Sequence, residues 1–342
     1  MTLRFGLVGA GAIGTAYRDV FAGVDGARLV AIADRRPRAA DVLADLLGAA
    51  SYPSARAMLE AEAVDAVVVC TPPATHAEVA LQAIERGVHV LCEKPLSIDS
   101  TSAARMLDGA ARAGVQCAMA TKFRFVDDVV RARALVESGI LGELIQVENV
   151  FTGRVDMRRR WYSDPAVSGG GVLIDNGTHS VDLVRHFLGP IVEVLAVKGP
   201  RAEHLAVEDN GRMLLRAGSG VLAAVELSWS YQRPTDSYLD VYGTQGTLRL
   251  GWRASRYRQA GSEEWVDLGT GYDKITCMRG QVEAFCAAVR GERPLAVTAE
   301  DALASVQVIE AAYASLGSGT WAPVASDPVP ASAADGTGEQ VA

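Results

Sequence analysis

The chain has 342 residues, 49% of them apolar, and a formal net charge of −8, with a pI near 5.3 and a mean hydropathy of +0.13. This length exceeds one ordinary compact core and suits two domains. The acidity excludes a general affinity for nucleic acid or anionic membrane, which points to a small molecule or another protein as partner.

The first third alternates. "RFGLVGA" reads as a strand, "IGTAYRDVFAGV" as a helix, "ARLVAIADR" as a second strand and "RAADVLADLLGA" as a second helix. "VDAVVVCTP" is a continuous apolar strand, "ATHAEVALQAIERG" a helix with Thr75 at its N-cap, "VHVLCEKP" a strand, "DSTSAARMLDGAARAG" a helix and "VQCAMATKF" a last strand. Such alternation predicts βαβ units and a parallel sheet covered on both faces.

The rhythm then changes. "DDVVRARALVESGILG" and "GGGVLIDNGTHSVDLVRHFLG" read as helices on either side of the alternating "ELIQVENVFT". "IVEVLAVKG", "GRMLLRAG", "GVLAAVELSWSY", "SYLDVYGT" and "GTLRLGW" are closely spaced strands with turns such as "GTQG", so a largely antiparallel sheet is expected. Two helices follow, and residues 323–342 are Pro-, Ala- and Gly-rich, which predicts a disordered tail. The division is therefore 1–121, 122–322 and the tail.

The five cysteines, Cys70, Cys92, Cys117, Cys277 and Cys286, form no C-x-x-C pair. Neither a disulfide framework nor a metal site is expected, which suits a reducing cytoplasm. The chain opens without a basic-then-apolar leader, and its apolar runs are short for a bilayer; secretion and membrane insertion are not expected.

Gly9, Gly11 and Gly14 form G-x-G-x-x-G between a strand and a helix, the context a bound diphosphate requires. The first glycine permits the turn, the second lets backbone approach phosphate, and the third lets helix pack on strand. Ala12 and Ile13 complete the loop, whose free N–H groups face the negative charge. Asp34 ends the second strand about 20 residues beyond Gly14, where an acid meets the adenosine ribose. The acid favours NAD. Arg35 and Arg36 follow at once and keep NADP open, since they suit a 2′-phosphate.

Ligands of such sheets bind outside the carboxyl ends of strands. That places Thr71, Pro72, Glu93 and Lys94 toward the cofactor, with His76 near the nicotinamide but read chiefly as a structural residue at a helix start. Pro95 biases Lys94 toward an extended backbone, and the Lys94–Pro95 bond is a candidate for the cis form. Asp175 and His179 stand four apart and share a helix face, with Asp182 near it. An imidazole beside a carboxylate is a proton acceptor suited to neutral pH.

These residues give the chain a resemblance to the Gfo/Idh/MocA oxidoreductases. It rests on "GLVGAGAIG", "AIAD", "VVVCTPPATHAEVALQAIERGVHVLCEKPLS", "GGGVLIDNGTHSVDLVRHFLG" and "VYGTQGTLRL", and spans about Leu3 to Val324. The family's Lys-Asp-His trio falls on Lys94, Asp175 and His179 without departure. The resemblance implies a Rossmann domain, and a C-terminal α/β domain whose open sheet makes dimers or tetramers while the last helices return to the Rossmann domain. It also implies hydride transfer between a secondary alcohol of a sugar or cyclitol and the nicotinamide.

The substrate is expected between "KFRF" (122–125) and "RVDMRRRWYSDP" (154–165), with Arg124, Asp156 and Trp161 joining the trio as contacts. Arg158, Arg159 and Arg160 invite a phosphorylated or nucleotide-linked sugar, although a solvated basic loop is the plainer reading. A nucleotide sugar, an imine or a non-catalytic dinucleotide-binding regulator are the alternatives; the intact trio argues against the regulator.

Overall fold

A computed structural model describes residues 2–158, 160–202 and 205–325. Its first sheet grows from β1 (Leu3–Val8), α1 (Ala12–Phe21), β2 (Ala27–Ala33), α2 (Pro37–Leu47), β3 (Ala50–Tyr52), α3 (Ala55–Ala61), β4 (Ala66–Val69), α4 (His76–Ile84), β5 (His89–Glu93), α5 (Ser100–Ala113) and β6 (Cys117–Ala120). The order is β3-β2-β1-β4-β5-β6, with every pairing parallel. This is the expected doubly wound sheet. The run of β4 is apolar because all four of its residues are buried between two helical layers.

β3 and α3 were not expected from the sequence. β3 is a three-residue edge strand without a fully buried residue, too short to leave a periodic signal. Thr75 precedes α4 but does not cap it: its hydroxyl donates to Pro72 O at 2.8 Å instead. The Lys94–Pro95 peptide is cis.

The second sheet follows α6 (Asp127–Glu137). It contains β7 (Leu144–Arg154), then, after α7 (Pro165–Ser168) and α8 (Val172–Leu188), β8 (Ile191–Lys198), β9 (Asn210–Ala217), β10 (Leu222–Ser228), β11 (Ser230–Tyr231), β12 (Ser237–Gly243), β13 (Gly246–Gly251), β14 (Ser255–Gln259) and β15 (Val266–Gly269). After α9 (Lys274–Val289) and α10 (Ala299–Ser318), β16 (Ala322–Pro323) closes the order β15-β14-β13-β12-β7-β10-β9-β8-β16, and β11 adds to β7. Among the described residues only β7 and β10 run parallel in this sheet, so it is largely antiparallel as expected. Val324 N still donates to Val192 O at 2.9 Å, so paired chain continues past 322; residues 326–342 of the expected tail lie outside the described residues.

α8 packs Leu173, Val181 and Val184 onto Met213, Val225 and Leu227 of the second sheet. α9 returns to the first: Met278, Val282 and Phe285 join Phe5, Tyr17 and Val20 in one cluster. α10 belongs to both, with Leu303 and Val306 in the core beside α5 and Val308, Ile309 and Ala312 in the core of the second sheet. These helices tie the two sheets together, and a cleft opens at the carboxyl ends of β1, β4 and β5.

Candidate active site

The glycine loop is shaped by contacts that leave no room for a side chain at two of its three glycines. Gly9 has φ +103°, and a Cβ there would stand 2.6 Å from Cys70 O. A Cβ on Gly14 would run into Gly9 O, whereas one on Gly11 would meet nothing within 4 Å. Gly11 therefore faces open space while it N-caps α1 without a side-chain cap, leaving helix N–H groups free for an anion. Thr71 Oγ1, at the neighbouring end of β4, is buried without a partner. A free helix start, an open glycine and an orphaned hydroxyl fit a dinucleotide.

Asp34 is buried and already engaged. It accepts from Ala10 N at 2.8 Å and from Arg36 N at 2.8 Å, and Arg36 Nε lies 3.1 Å away. Burial raises its pKa, but these donors outweigh it and hold the carboxyl below its ordinary value. Asp34 thus clamps the glycine loop, and the Arg36 guanidinium sits beside the position expected for the ribose hydroxyls. Arg35 is exposed.

A cavity of about 430 Å³ opens beyond this loop, with Ile13, Thr71, Glu93, Lys94, Asp175 and His179 among its walls. Lys94 pairs with Asp175 Oδ1 and donates to Asp175 O at 2.9 Å. Burial disfavours the Lys94 ammonium, but Asp175 outweighs it, and the pKa rises above its ordinary value. His179 is pushed the other way: burial first, then the charges of Lys94 and Lys122, hold its pKa well below the ordinary value. It is neutral at pH 7. Its Nδ1 is buried without a partner, which leaves Nε2 as the nitrogen that can meet a hydroxyl. Its ring stands edge-on to Phe123 at 5.1 Å.

α8 presents Asp175 and His179 from its first turns, and its start is built from outside. The Glu208 carboxylate accepts from Gly171 N at 3.0 Å, Leu173 N at 3.1 Å and the Tyr313 hydroxyl at 2.8 Å. It caps a helix whose own N-cap residue, Gly171, has no side chain to offer. A Cβ on Gly171 would collide with Glu208 O, which accounts for a glycine at that position.

Four expected contacts do not line this cavity. Arg124 does not reach the cavity: its Nε donates to both Asp182 oxygens at 3.0 Å, and its Nη1 donates to Asp301 at 2.9 Å. Asp182 is likewise consumed there, since a buried guanidinium needs its counter-charges close. Asp156 pairs with Arg158 at 2.9 Å on an exposed loop and lies outside the cavity walls. His76 has both ring nitrogens 2.8 Å from backbone carbonyls, of Pro95 and Thr71, and so braces the turn after β4. Pro72, too, is absent from the walls, where Pro73 stands instead. Of the arginine run, Arg158 is spent on Asp156, Arg159 lies outside the described residues and Arg160 lines the cavity. Trp161 lines it as expected, stacked on Tyr162 at 3.7 Å.

Other walls had no local signal. Trp229 falls in the break between β10 and β11, Trp252 follows β13 and Tyr272 precedes α9. Asn176, adjacent to Asp175, and Tyr162, beside Trp161, could have been found by proximity. Glu93 accepts from the Tyr17 hydroxyl at 3.1 Å, and Tyr17 accepts from Gln281 at 3.2 Å, tying the cavity wall to α1 and α9.

Residues 3–121 match the family model for an oxidoreductase family with an NAD-binding Rossmann fold, and residues 129–249 match the GFO/IDH/MocA C-terminal domain. The chain is 32% identical over 332 residues to D-xylose 1-dehydrogenase (NADP(+)) 2 of Haloferax volcanii, covering 93% of this chain and 98% of that protein. It is 28% identical to inositol 2-dehydrogenase of Rhizobium meliloti, covering 92% and 97%. In fold it resembles a levoglucosan dehydrogenase solved with NADH, at TM-score 0.88 and 20% identity, covering 95% of this chain and all of that one. A glycine loop open to a dinucleotide, a matching second domain and relatives along nearly its whole length make this chain a member of the Gfo/Idh/MocA family of NAD-binding oxidoreductases.

Proposed function

We propose that the protein oxidises a secondary alcohol of a sugar or cyclitol, reversibly, with Lys94, Asp175 and His179 as its acid–base group. The observation that carries this is the pairing of Lys94 with Asp175 beside a neutral, buried His179 on the wall of one cavity at the carboxyl ends of the Rossmann strands. The nicotinamide, when bound, supplies the hydride acceptor; Gly9, Gly11, Ala12, Ile13, Gly14 and Asp34 would hold its dinucleotide. His179 Nε2 takes the hydroxyl proton as the carbon–hydrogen bond breaks. The Lys94 ammonium donates to the same oxygen and stabilises its developing charge. Asp175 fixes Lys94 in place and keeps it charged. The aromatic walls exclude water and offer flat faces to a sugar ring.

The test is the appearance of reduced nicotinamide from NAD or NADP against a panel of inositols, aldoses and sugar acids. His179→Ala should lose about 10²- to 10⁴-fold in turnover with NADH affinity unchanged. Near-normal turnover in that variant would remove His179 from the base role. NADH binding without turnover on any member would favour the regulator.

The same reading includes association through the second sheet. The strand register places Val197, Leu214 and Leu222 on one face, opposite the one α8 covers, and each is exposed. Light scattering should give a dimer or tetramer. The five cysteines are free and buried, in keeping with a reducing cytoplasm, and among the described residues no helix is long and apolar enough to cross a membrane.

A further inference from the structure

The charges on the cavity wall do not balance. Lys94, Lys122 and Arg160 face two carboxylates, Glu93 and Asp175. Asp175 is taken by Lys94. Glu93 is taken by the Tyr17 hydroxyl at 3.1 Å and by Lys94 N at 3.3 Å. Two cations remain. Among the described residues Lys122 makes no hydrogen bond and no ion pair; its ammonium lies against the rings of Phe123 and Tyr272, 5.6 and 5.8 Å from their centroids. Arg160 has its backbone tied, its N–H to Met157 O and its carbonyl to Ser163 Oγ, yet its guanidinium likewise has no partner among the described residues.

An ammonium held in a largely apolar pocket is costly unless something pairs with it. Burial does push the Lys122 pKa down, with Glu93 opposing and Lys94 adding to the effect. Cation–π contact recovers only part of that cost. The surplus positive charge is local, since the chain as a whole carries −8; the cleft focuses a field that the rest of the surface opposes.

We infer that the substrate is an anionic polyol, a hydroxylated ring or chain bearing a carboxylate or phosphate group, and that Lys122 and Arg160 receive this group while Lys94 and His179 handle the reacting hydroxyl. The inference rests on the reading of this cavity as the substrate site. It converts the arginine run from a solvated loop into a receptor of which one member, Arg160, is placed at the cavity. It also gives specificity a mechanism: a neutral sugar leaves the desolvated Lys122 ammonium without a counter-charge, and a site built for a charged partner discriminates against a substrate that lacks it.

The test uses the full chain loaded with NADH and matched ligands: galactose against galacturonate, sorbitol against gluconate, and glucose against a glucose phosphate. Trp229 and Trp252 line the cavity, so quenching of tryptophan fluorescence reads binding without turnover. The acidic member of at least one pair should bind more tightly, and the acid-to-neutral ratio should fall about 10- to 100-fold in Lys122→Met and fall also in Arg160→Gln, a loop substitution that spares the core. Preference for carboxylates over phosphates, or the reverse, identifies the group. Equal binding of neutral and acidic members in the native protein, an unchanged ratio in both variants, or a tenfold loss of NADH affinity in Lys122→Met would each overturn the inference. Acid binding without oxidation would uphold the receptor and refute the proposed reaction, so the two readings fail separately.

Discussion

Lys94→Met removes one charge and should disturb two observables at once. Lys94 and Asp175 are each almost buried, with side chains 14% and 13% exposed. Burial disfavours the ammonium, and Asp175 more than offsets it. A preorganised charged donor at a developing alkoxide is worth about 10²- to 10³-fold in turnover, or roughly 3–4 kcal/mol. The same ammonium is the largest charge holding down the pKa of His179, after burial itself. Without it, His179 moves up toward its ordinary value, while burial and Lys122 keep it from arriving there. The acid limb of kcat/KM, which reports loss of the neutral imidazole as pH falls, should therefore shift to higher pH. The assay is kcat/KM against pH, with NADH affinity measured in parallel and unchanged. Removing one partner of a buried pair costs roughly 3–5 kcal/mol, an upper figure here because both groups retain some solvent. Lys94→Met combined with Asp175→Asn removes that stranded charge and should recover thermal stability without recovering turnover. A drop in turnover below about tenfold, or an acid limb that stays in place, would refute the assignment.

The glycine loop separates two effects that are usually confounded. Gly14→Ala should lower both melting temperature and NADH affinity, because its Cβ meets Gly9 O; Gly11→Ala, facing open space, should weaken NADH binding alone. Asp182→Asn leaves Arg124 with half its compensation in a buried cluster and should destabilise by roughly 3 kcal/mol, read by urea unfolding; a neutral result would mean Asp301 suffices. His186 is pushed down to about 4 by burial, then by Arg124 and Arg133, against about 6.5 when unfolded. The native state keeps it neutral while the unfolded state takes the proton. Its contribution is thus complete above about pH 6.5 and lost as pH falls toward 4, about 3 kcal/mol in all. His186→Gln should flatten that part of the stability–pH curve.

The sequence by itself determined what depends on local chemistry. G-x-G-x-x-G after a strand, Asp34 at the next strand end, and D-x-x-x-H on one helix face are spacings that only particular backbones accept, and each was found where its motif placed it. Strand and helix periodicity carried the two sheets, except for β3, β14, β15 and β16, of three, five, four and two residues, which were too short to show a period. Tertiary structure alone decided which charges remain available. Arg124 and Lys122 are two residues apart, and nothing local separates them. The first is drained into Asp182 and Asp301 from α8 and α10, while the second is left facing Phe123 and Tyr272. His76, Asp156 and Arg160 were sorted in the same way, by carbonyls and carboxylates brought near from elsewhere in the fold or by their lack. A charged side chain's role depends on whether its counter-charge is supplied within the fold or left to a ligand, and that balance is struck between elements distant in sequence.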